Sequence, residues 1–462
     1  MRDHSQHIQL SREEAVAATL AALDAQPEGF GWRGAQAAAQ GAGAGETHVR
    51  QVASKLVEHV SLAESVGRVL AYDVVAQTDM PNALTCAMDS VALHWSDFAD
   101  LPEGEVPDTS TWVRGRDWQF ANTGVAMPEG FDTAIVIEHV QVSADEQHIV
   151  IDAVPSRQGA GTKAVGETMR RGDVLGAAGS LVTPDLAARM GTGNNGVVPV
   201  VRRPRVAFIP TGNELIAPGV PFDPERPEMF AARGKNFETN SVLVRAKCEK
   251  WGGVFLPFDI VADRRDAIED ALRRAVEVAD IVILNAGSSK GSDDWSCEVM
   301  DEMGQMICHQ TNHGPGHHSS FAIIDGTPIV GISGPSAGAS FTLNFYLRPL
   351  MRAFEGLEPE VPRTPVVLAE AFPAKKHGPK NAKTEGEKRP AEHPAHKPGE
   401  PEFYGIKLLR VEHTEDGTLR GWPVAGRPGT PESFAANAYY MLPDGPGIEP
   451  PKAGDVIWAE WR

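Results

Sequence analysis

Three glycine-rich stretches each follow a short apolar run, and their residue types suit one kind of chemistry. They are Thr211-Gly212-Asn213-Glu214, then Ala286-Gly287-Ser288-Ser289-Lys290-Gly291-Ser292-Asp293-Asp294, then Gly331-Ile332-Ser333-Gly334-Pro335-Ser336-Ala337-Gly338. Glycine lets backbone N–H groups come close to a phosphate, and Ser and Thr hydroxyls add donors. One such turn is an ordinary connection. Three in one segment point to a ligand that carries phosphate. GxxxxGK[ST] is absent, so an ATPase reading has no motif to rest on.

Other polar groups have both a chemical and a structural reading. Asp89, in a loop before an apolar run, has the position of an Asx turn or cap. Glu167 and Asp173 flank Arg170 and Arg171, as in a solvated ion-pair cluster. His309, His313, His317 and His318 sit close together, but Gly314-Pro315-Gly316 breaks any helix that would face two of them onto one metal. Imidazoles facing an oxyanion and a plain solvated loop both stay open for that cluster.

The elements that must position these groups follow from periodicity and turn signals. Ser11 can cap a helix over Ser11 to Leu23, with Glu14 as its capping-box partner. Residues 24–48 look like an insertion, and Val49 to Val69, with Val52, Leu56, Val60 and Leu62, reads as a second helix. Leu70 to Thr78 then becomes extended. Short β-like runs such as Ala134–Ile137 and His148–Ile151 make 81–159 a small β domain. From Arg205 onward strands and helices alternate: Val206–Ile209, a helix at Thr239–Trp251, Val254–Phe258, a helix capped by Asp263 with Ile268, Leu272 and Val276 on one face, Ile281–Leu284, Ile329–Ile332, and a helix at Ala339–Met351. That order predicts a mostly parallel, doubly wound α/β domain, whose ligands bind at the carboxyl ends of its strands. Residues 374–400, rich in Lys, His, Glu and Pro, read as a disordered loop, and Phe403 to Arg462 as a small C-terminal β domain.

At 462 residues the chain is too long for one core, and its 42% hydrophobic and 23% charged residues are those of a globular protein. A formal charge of −19 disfavours nucleic acid and anionic membranes, so an anionic substrate needs local help from backbone N–H groups, helix N-termini or a few cations. Four cysteines without a CxxC pair argue against a disulfide framework or structural zinc. No secretory signal or membrane span is expected, which makes a cytoplasmic protein the expectation.

The order of motifs along nearly the whole chain resembles the molybdopterin molybdenumtransferases, the MoeA and gephyrin E-domain family. The run from Val60 to Val74 is similar to the family's L-x-E-A-x-G-R-V-L-A-x-D-V. Cys86-Ala87-Met88-Asp89-Ser90-Val91-Ala92 is similar to S-A-M-D-G-Y-A, and Thr123-Gly124 through Pro128-Glu129-Gly130 to Glu138 to the next motif. Gly166-Glu167, Thr211-Gly212-Asn213-Glu214-Leu215, Thr239-Asn240 and Gly287 to Asp294 follow in the family's order.

The resemblance implies four parts: domain I at 10–80 and 160–200, β domain II at 81–159, the molybdopterin-binding α/β domain III at 203–357 and β domain IV at 363–462. It implies an elongated homodimer that takes adenylylated molybdopterin and molybdate, inserts the metal at the dithiolene and releases AMP, usually with magnesium. Recipient molybdoenzymes or other cofactor-biosynthesis proteins are the implied partners. Tungsten insertion and a cofactor carrier without turnover are the alternatives. Asp89, Glu167 and Glu214 are the implied catalytic and metal-binding carboxylates. Ser289, Lys290, His317 and His318 are the implied oxyanion holders. Thr123, Thr211, Gly212, Asn213, Thr239, Asn240, Gly287, Ser288, Gly291, Asp294, Gly331, Gly334 and Ser336 complete the implied substrate site. The chain departs from the family at Thr168 and Asn213, where carboxylates are expected. It departs again at Gly314-Pro315-Gly316-His317-His318, where the family has a lysine-rich loop. Fewer carboxylates predict a weak magnesium dependence, and His in place of Lys predicts anion binding that depends on pH.

Overall fold

The computed structural model describes residues 8–26, 29–33, 55–102, 105–285, 295–373, 401–426 and 429–462. The expected insertion at 24–48 lies largely outside the described residues, and the loop 374–400 and the turn 287–294 wholly so. The chain divides into two compact units, one of residues 57–201 and one of residues 202–462 together with 1–56. Among the described residues no helix is long and apolar enough to cross a membrane.

The larger unit is built on a six-stranded sheet. Its order is Val254–Pro257, Arg205–Pro210, Ile281–Asn285, Thr327–Ile332, Ser320–Ile324, Gln305–Cys308. The first four strands are parallel and the last two run antiparallel. Every residue of Ile281–Asn285 and Thr327–Ile332 is buried, so the sheet is covered on both faces, as the continuous apolar runs require. The helix Arg265–Val278 turns Ile268, Ala271, Leu272 and Ala275 into that core.

Two expectations change here. Asp263 does not cap this helix: the flanking residue is Arg264, without a side-chain cap, and the Asp263 carboxylate accepts from Asn213 N–H at 3.0 Å. The last apolar helix begins at Ser336, not Ala339, and passes through a π-turn at Leu343–Leu347 before continuing as Arg348–Phe354.

Five strands close a barrel in the same unit. They are Thr364–Leu368, Phe403–His413, Leu419–Pro423, Ala438–Asp444 and Val456–Trp461, closed by pairing of Phe403–His413 with Ala438–Asp444. Closure removes the free edges of short strands. The two-residue strand His313–Gly314 adds in parallel to the start of Phe403–His413.

The helix Arg12–Asp24 has the expected capping box of Ser11 and Glu14. It belongs to this unit. Its buried Arg12 donates to Glu460 Oε1 at 2.5 Å and lies 4.2 Å from the centre of the Phe345 ring, and Tyr439 donates to the other Glu460 oxygen. A buried guanidinium needs that paired carboxylate, which fixes where the helix docks.

In the unit of residues 57–201, the helix expected through Val69 is instead the strand Val57–Ser61, antiparallel to Val197–Val201, followed by a short 3-10 turn at Ala63–Ser65. β-branched Val57 and Val60 face a strand of four valines, and sheet pairing overrides a weak helical period. Thr133–Val136 and Ile149–Ile151 are strands as expected. The first joins Ser90–Leu93 and Trp118–Ala121 over a core that includes fully buried Trp118.

Candidate functional site

The carboxyl ends of the parallel strands are tied together by one buried amide. Asn240, the first residue of the helix Asn240–Lys250, donates through Nδ2 to Asn285 Oδ1 at 2.8 Å and to the carbonyl of Gly334 at 2.9 Å. Asn285 ends its strand, and its carbonyl accepts from both the N–H and the hydroxyl of Thr211, at 3.2 and 2.7 Å. The end of Arg205–Pro210, the end of Ile281–Asn285, the turn after Thr327–Ile332 and the start of a helix therefore meet at one hydrogen-bonded cluster. Both Asn240 N–H bonds go to acceptors, which settles which way the amide faces. Its own Oδ1 is buried and has no hydrogen-bond partner, a cost of about 1–3 kcal/mol.

The turn after Thr211 is held as firmly. Gly212 has φ +153°, and a Cβ there would meet the Glu214 carboxylate at 2.8 Å. Asn213 and Asp263 exchange two bonds, the Asn213 N–H to Asp263 Oδ2 and the Asp263 N–H to Asn213 Oδ1 at 3.2 Å. An Asp at 213 would set two carboxylates against each other, and the amide avoids that repulsion while keeping the acceptor. Gly331 packs on Ser320, where any Cβ would clash at 2.1 Å. Ser336 opens its helix, and Thr239 precedes Asn240 on the exposed side. The structure thus brings Thr211, Asn240 and Gly334 together, with Gly212, Asn213 and Glu214 directly after Thr211. Gly287, Ser288, Ser289, Lys290, Gly291 and Asp294 lie outside the described residues.

The histidines do not gather. His309 Nδ1 accepts from the Ile8 N–H. His313 is fully buried, 2.8 Å from the Tyr346 hydroxyl and against the Phe345 ring. Burial holds its pKa down at about 3, helped by Arg12 and His317, with the Pro315 carbonyl acting the other way. His317 is exposed and His318 half-buried, with ring centres 3.7 Å apart. Partial burial lowers the His317 pKa below the ordinary imidazole value.

Behind this loop lies a cleft of about 470 Å³. Pro315, Ala337, Phe372 and Ile406 line it, and Lys407 is the only charged residue among its described lining. Sequence reading missed Lys407, whose one signal is a cation within an apolar strand, Ile406-Lys407-Leu408-Leu409.

In the 57–201 unit Asp89 accepts from the Thr123 N–H and hydroxyl, both at 2.9 Å, and these two bonds hold its pKa below the usual value. Glu167 turns back on its own loop to accept from the Ala164 N–H, beside exposed Thr168. The Asp173 and Asp79 carboxylates accept from the backbone N–H groups of Arg170 and Arg171, so this cluster is a set of turn caps. Among the described residues no three His, Cys, Asp or Glu side chains stand close enough to hold a metal ion.

Comparison with known proteins gives a consistent picture. Residues 35–191 match the family model of the MoeA N-terminal region (domain I and II), and residues 207–353 match that of a probable molybdopterin binding domain. A molybdopterin molybdenumtransferase of Bacillus subtilis is 25% identical over 407 residues, 84% of this chain and 86% of that protein. One of Haemophilus influenzae is 26% identical over 315 residues, 65% of this chain and 73% of that protein. In fold, the chain is similar to the crystal structure of a molybdopterin biosynthesis MoeA protein from Pyrococcus horikoshii, with TM-score 0.64 and 20% identity over 98% of this chain and all of that one.

Proposed function

This chain belongs to the MoeA family, and we propose that it inserts molybdate-derived metal into adenylylated molybdopterin and releases AMP. The observation that carries the reading is the cluster of Thr211, Asn240, Asn285 and Gly334. It fixes the strand ends where an α/β sheet takes its ligand, inside the segment that matches a molybdopterin-binding domain.

Each part of the site has a physical role in this reading. The backbone around Thr211, Gly212 and Asn213, with the turn from Gly331 through Gly334 to Ser336, receives the pterin and its phosphate. The start of the Asn240–Lys250 helix, with Thr239, borders the site, its Ser241 N–H already donated to the Glu238 carboxylate at 2.9 Å. In a chain of net charge −19, a tetrahedral oxyanion needs a local cation, and Lys407 in its cleft is the one proposed for molybdate. Glu214 is the carboxylate of the strand-end site. Asp89 with Thr123, and Glu167, enter on their sequence motifs, and Ser289 and Lys290 likewise. The reading includes a homodimer in the cytoplasm, and light scattering at micromolar concentration should give twice the 49.6 kDa chain mass.

The test is AMP release from adenylylated molybdopterin with molybdate present. Release above buffer that depends on molybdate supports the enzyme. Tight pterin binding without AMP release would make the chain a carrier instead.

A further inference from the structure

Phe222, Phe230 and Phe237 stand in one exposed segment beside the strand-end site. Ring centres are 5.2 Å apart for Phe222 and Phe230, at 85°, and 6.3 Å apart for Phe230 and Phe237, at 55°. Phe222 is 57% exposed and Phe237 42%. Rings in contact with each other and still this open are not filling a core. The segment is anchored at the Gly212 turn. The Lys235 ammonium donates to the Asn213 carbonyl at 2.8 Å, the Asn236 N–H to the Glu214 carbonyl at 2.9 Å, and Phe237 pairs with Ile216. Phe237 also precedes Asn240 by three residues, so the rings share their attachment with the helix start. Arg233 in the same segment is exposed and makes no ion pair among the described residues.

We propose that Phe222, Phe230 and Phe237 form an aromatic wall that stacks the adenine of the adenylylated substrate, with Arg233 facing its phosphate. The inference rests on the reading of the previous subsection, which supplies an adenylate. A planar bicyclic base stacks on a few rings of this kind. A solvent-facing wall also suits the part of the substrate that must leave. The pterin, which stays behind, belongs at the buried cluster around Asn240.

Calorimetry on the full chain tests this with three probes: AMP, ribose 5-phosphate, which has the phosphate without the base, and molybdopterin. Phe222→Ala/Phe237→Ala should weaken AMP at least tenfold, about 1.4 kcal/mol, and leave ribose 5-phosphate and molybdopterin unchanged. Phe237→Trp should keep AMP affinity. Arg233→Gln should weaken AMP and ribose 5-phosphate alike. If the alanine pair unfolds, Phe222→Leu/Phe237→Leu keeps apolar bulk without ring faces and should show the same selective loss. Unchanged AMP affinity in the double variant, or no AMP binding by the wild type, overturns the wall. A loss of molybdopterin affinity instead assigns the rings to the pterin and overturns it as well. A halved mass by light scattering in the double variant makes the rings a contact between copies and does the same. Molybdopterin binding by the wild type without AMP binding defeats the wall and leaves the proposed function standing. Absence of both sinks that function.

Discussion

Two polar regions of the larger unit lie close in sequence and differ in what their side chains are used for. At the strand ends, a few buried groups (Asn240, Asn285 and Thr211) bond to one another and to backbone. They fix the turns around Gly212 and Gly334 at the carboxyl ends of interior strands. In the loop from His309 to Ser319, groups that look more reactive are used inside the fold. His313 bonds Tyr346, Ser319 bonds Thr342, and Gly316 sits where a Cβ would meet His313 and Thr342 at 3.1 Å. Density of chemically able residues is therefore a poor guide to a site. What matters is whether their bonds position a surface or fill an interior.

The contrast breaks most sharply at Asn240. Asn240→Ala leaves the acceptors of Asn285 and Gly334 buried and unpaired, which should cost about 2–4 kcal/mol in denaturant unfolding. It should also weaken molybdopterin binding at least about tenfold, or ~1.4 kcal/mol, by calorimetry. A stable variant with native affinity would remove the cluster from the site.

His313→Ala should cost a comparable about 2–4 kcal/mol, from the lost Tyr346 partner and the cavity left beside Phe345, and leave pterin affinity alone. The same residue gives a pH signature. Its folded pKa, about 3, lies below the ordinary imidazole value. Between the two, the unfolded chain binds a proton that the folded one does not. Stability is thus fully present above pH ~6.5 and lost as pH falls below it, at about 1.4 kcal/mol per pH unit. The urea midpoint should drop between pH 7 and pH 5, and drop less in His313→Ala. Equal slopes would contradict the burial account.

Lys407→Ala should weaken molybdate binding by about fivefold to tenfold, the worth of one charge-assisted contact, with the melting temperature of the barrel unchanged. The smallest effect belongs to His317→Ala/His318→Ala. Burial lowers the His317 pKa below the ordinary imidazole value, so any attraction of its ring for an anion grows only as pH falls. Molybdate affinity near neutrality should change by less than about twofold. A large loss at pH 8 would return these histidines to the oxyanion site.

Much of the fold was legible in the residues. Ser11 and Glu14 announce their helix, and the apolar runs at Ile281–Leu284 and Ile329–Ile332 announce buried parallel strands, because caps and burial act locally. Val57–Ser61 was misread, since its pairing with Val197–Val201 is set by contacts over a hundred residues away. The glycine-rich turns at Thr211 and Gly331 pointed to the strand ends, but the clamp did not. No spacing rule links Asn240 to Asn285 and Gly334. Asp263 illustrates the same limit. Its position suits a helix cap, and only the folded chain shows that Asn213 takes its carboxylate. Lys407 was hidden for a similar reason, as its cleft is formed by the barrel meeting the loop at Pro315.

Hydrogen–deuterium exchange on the full chain, with and without molybdopterin, tests the central claim most directly, because it reports where the ligand orders the backbone. The account predicts new protection at Thr211–Leu215, at the start of the Asn240–Lys250 helix and at Gly331–Ala337, with little change at His309–His313. Protection confined to the histidine loop, or to residues 57–201, would contradict it.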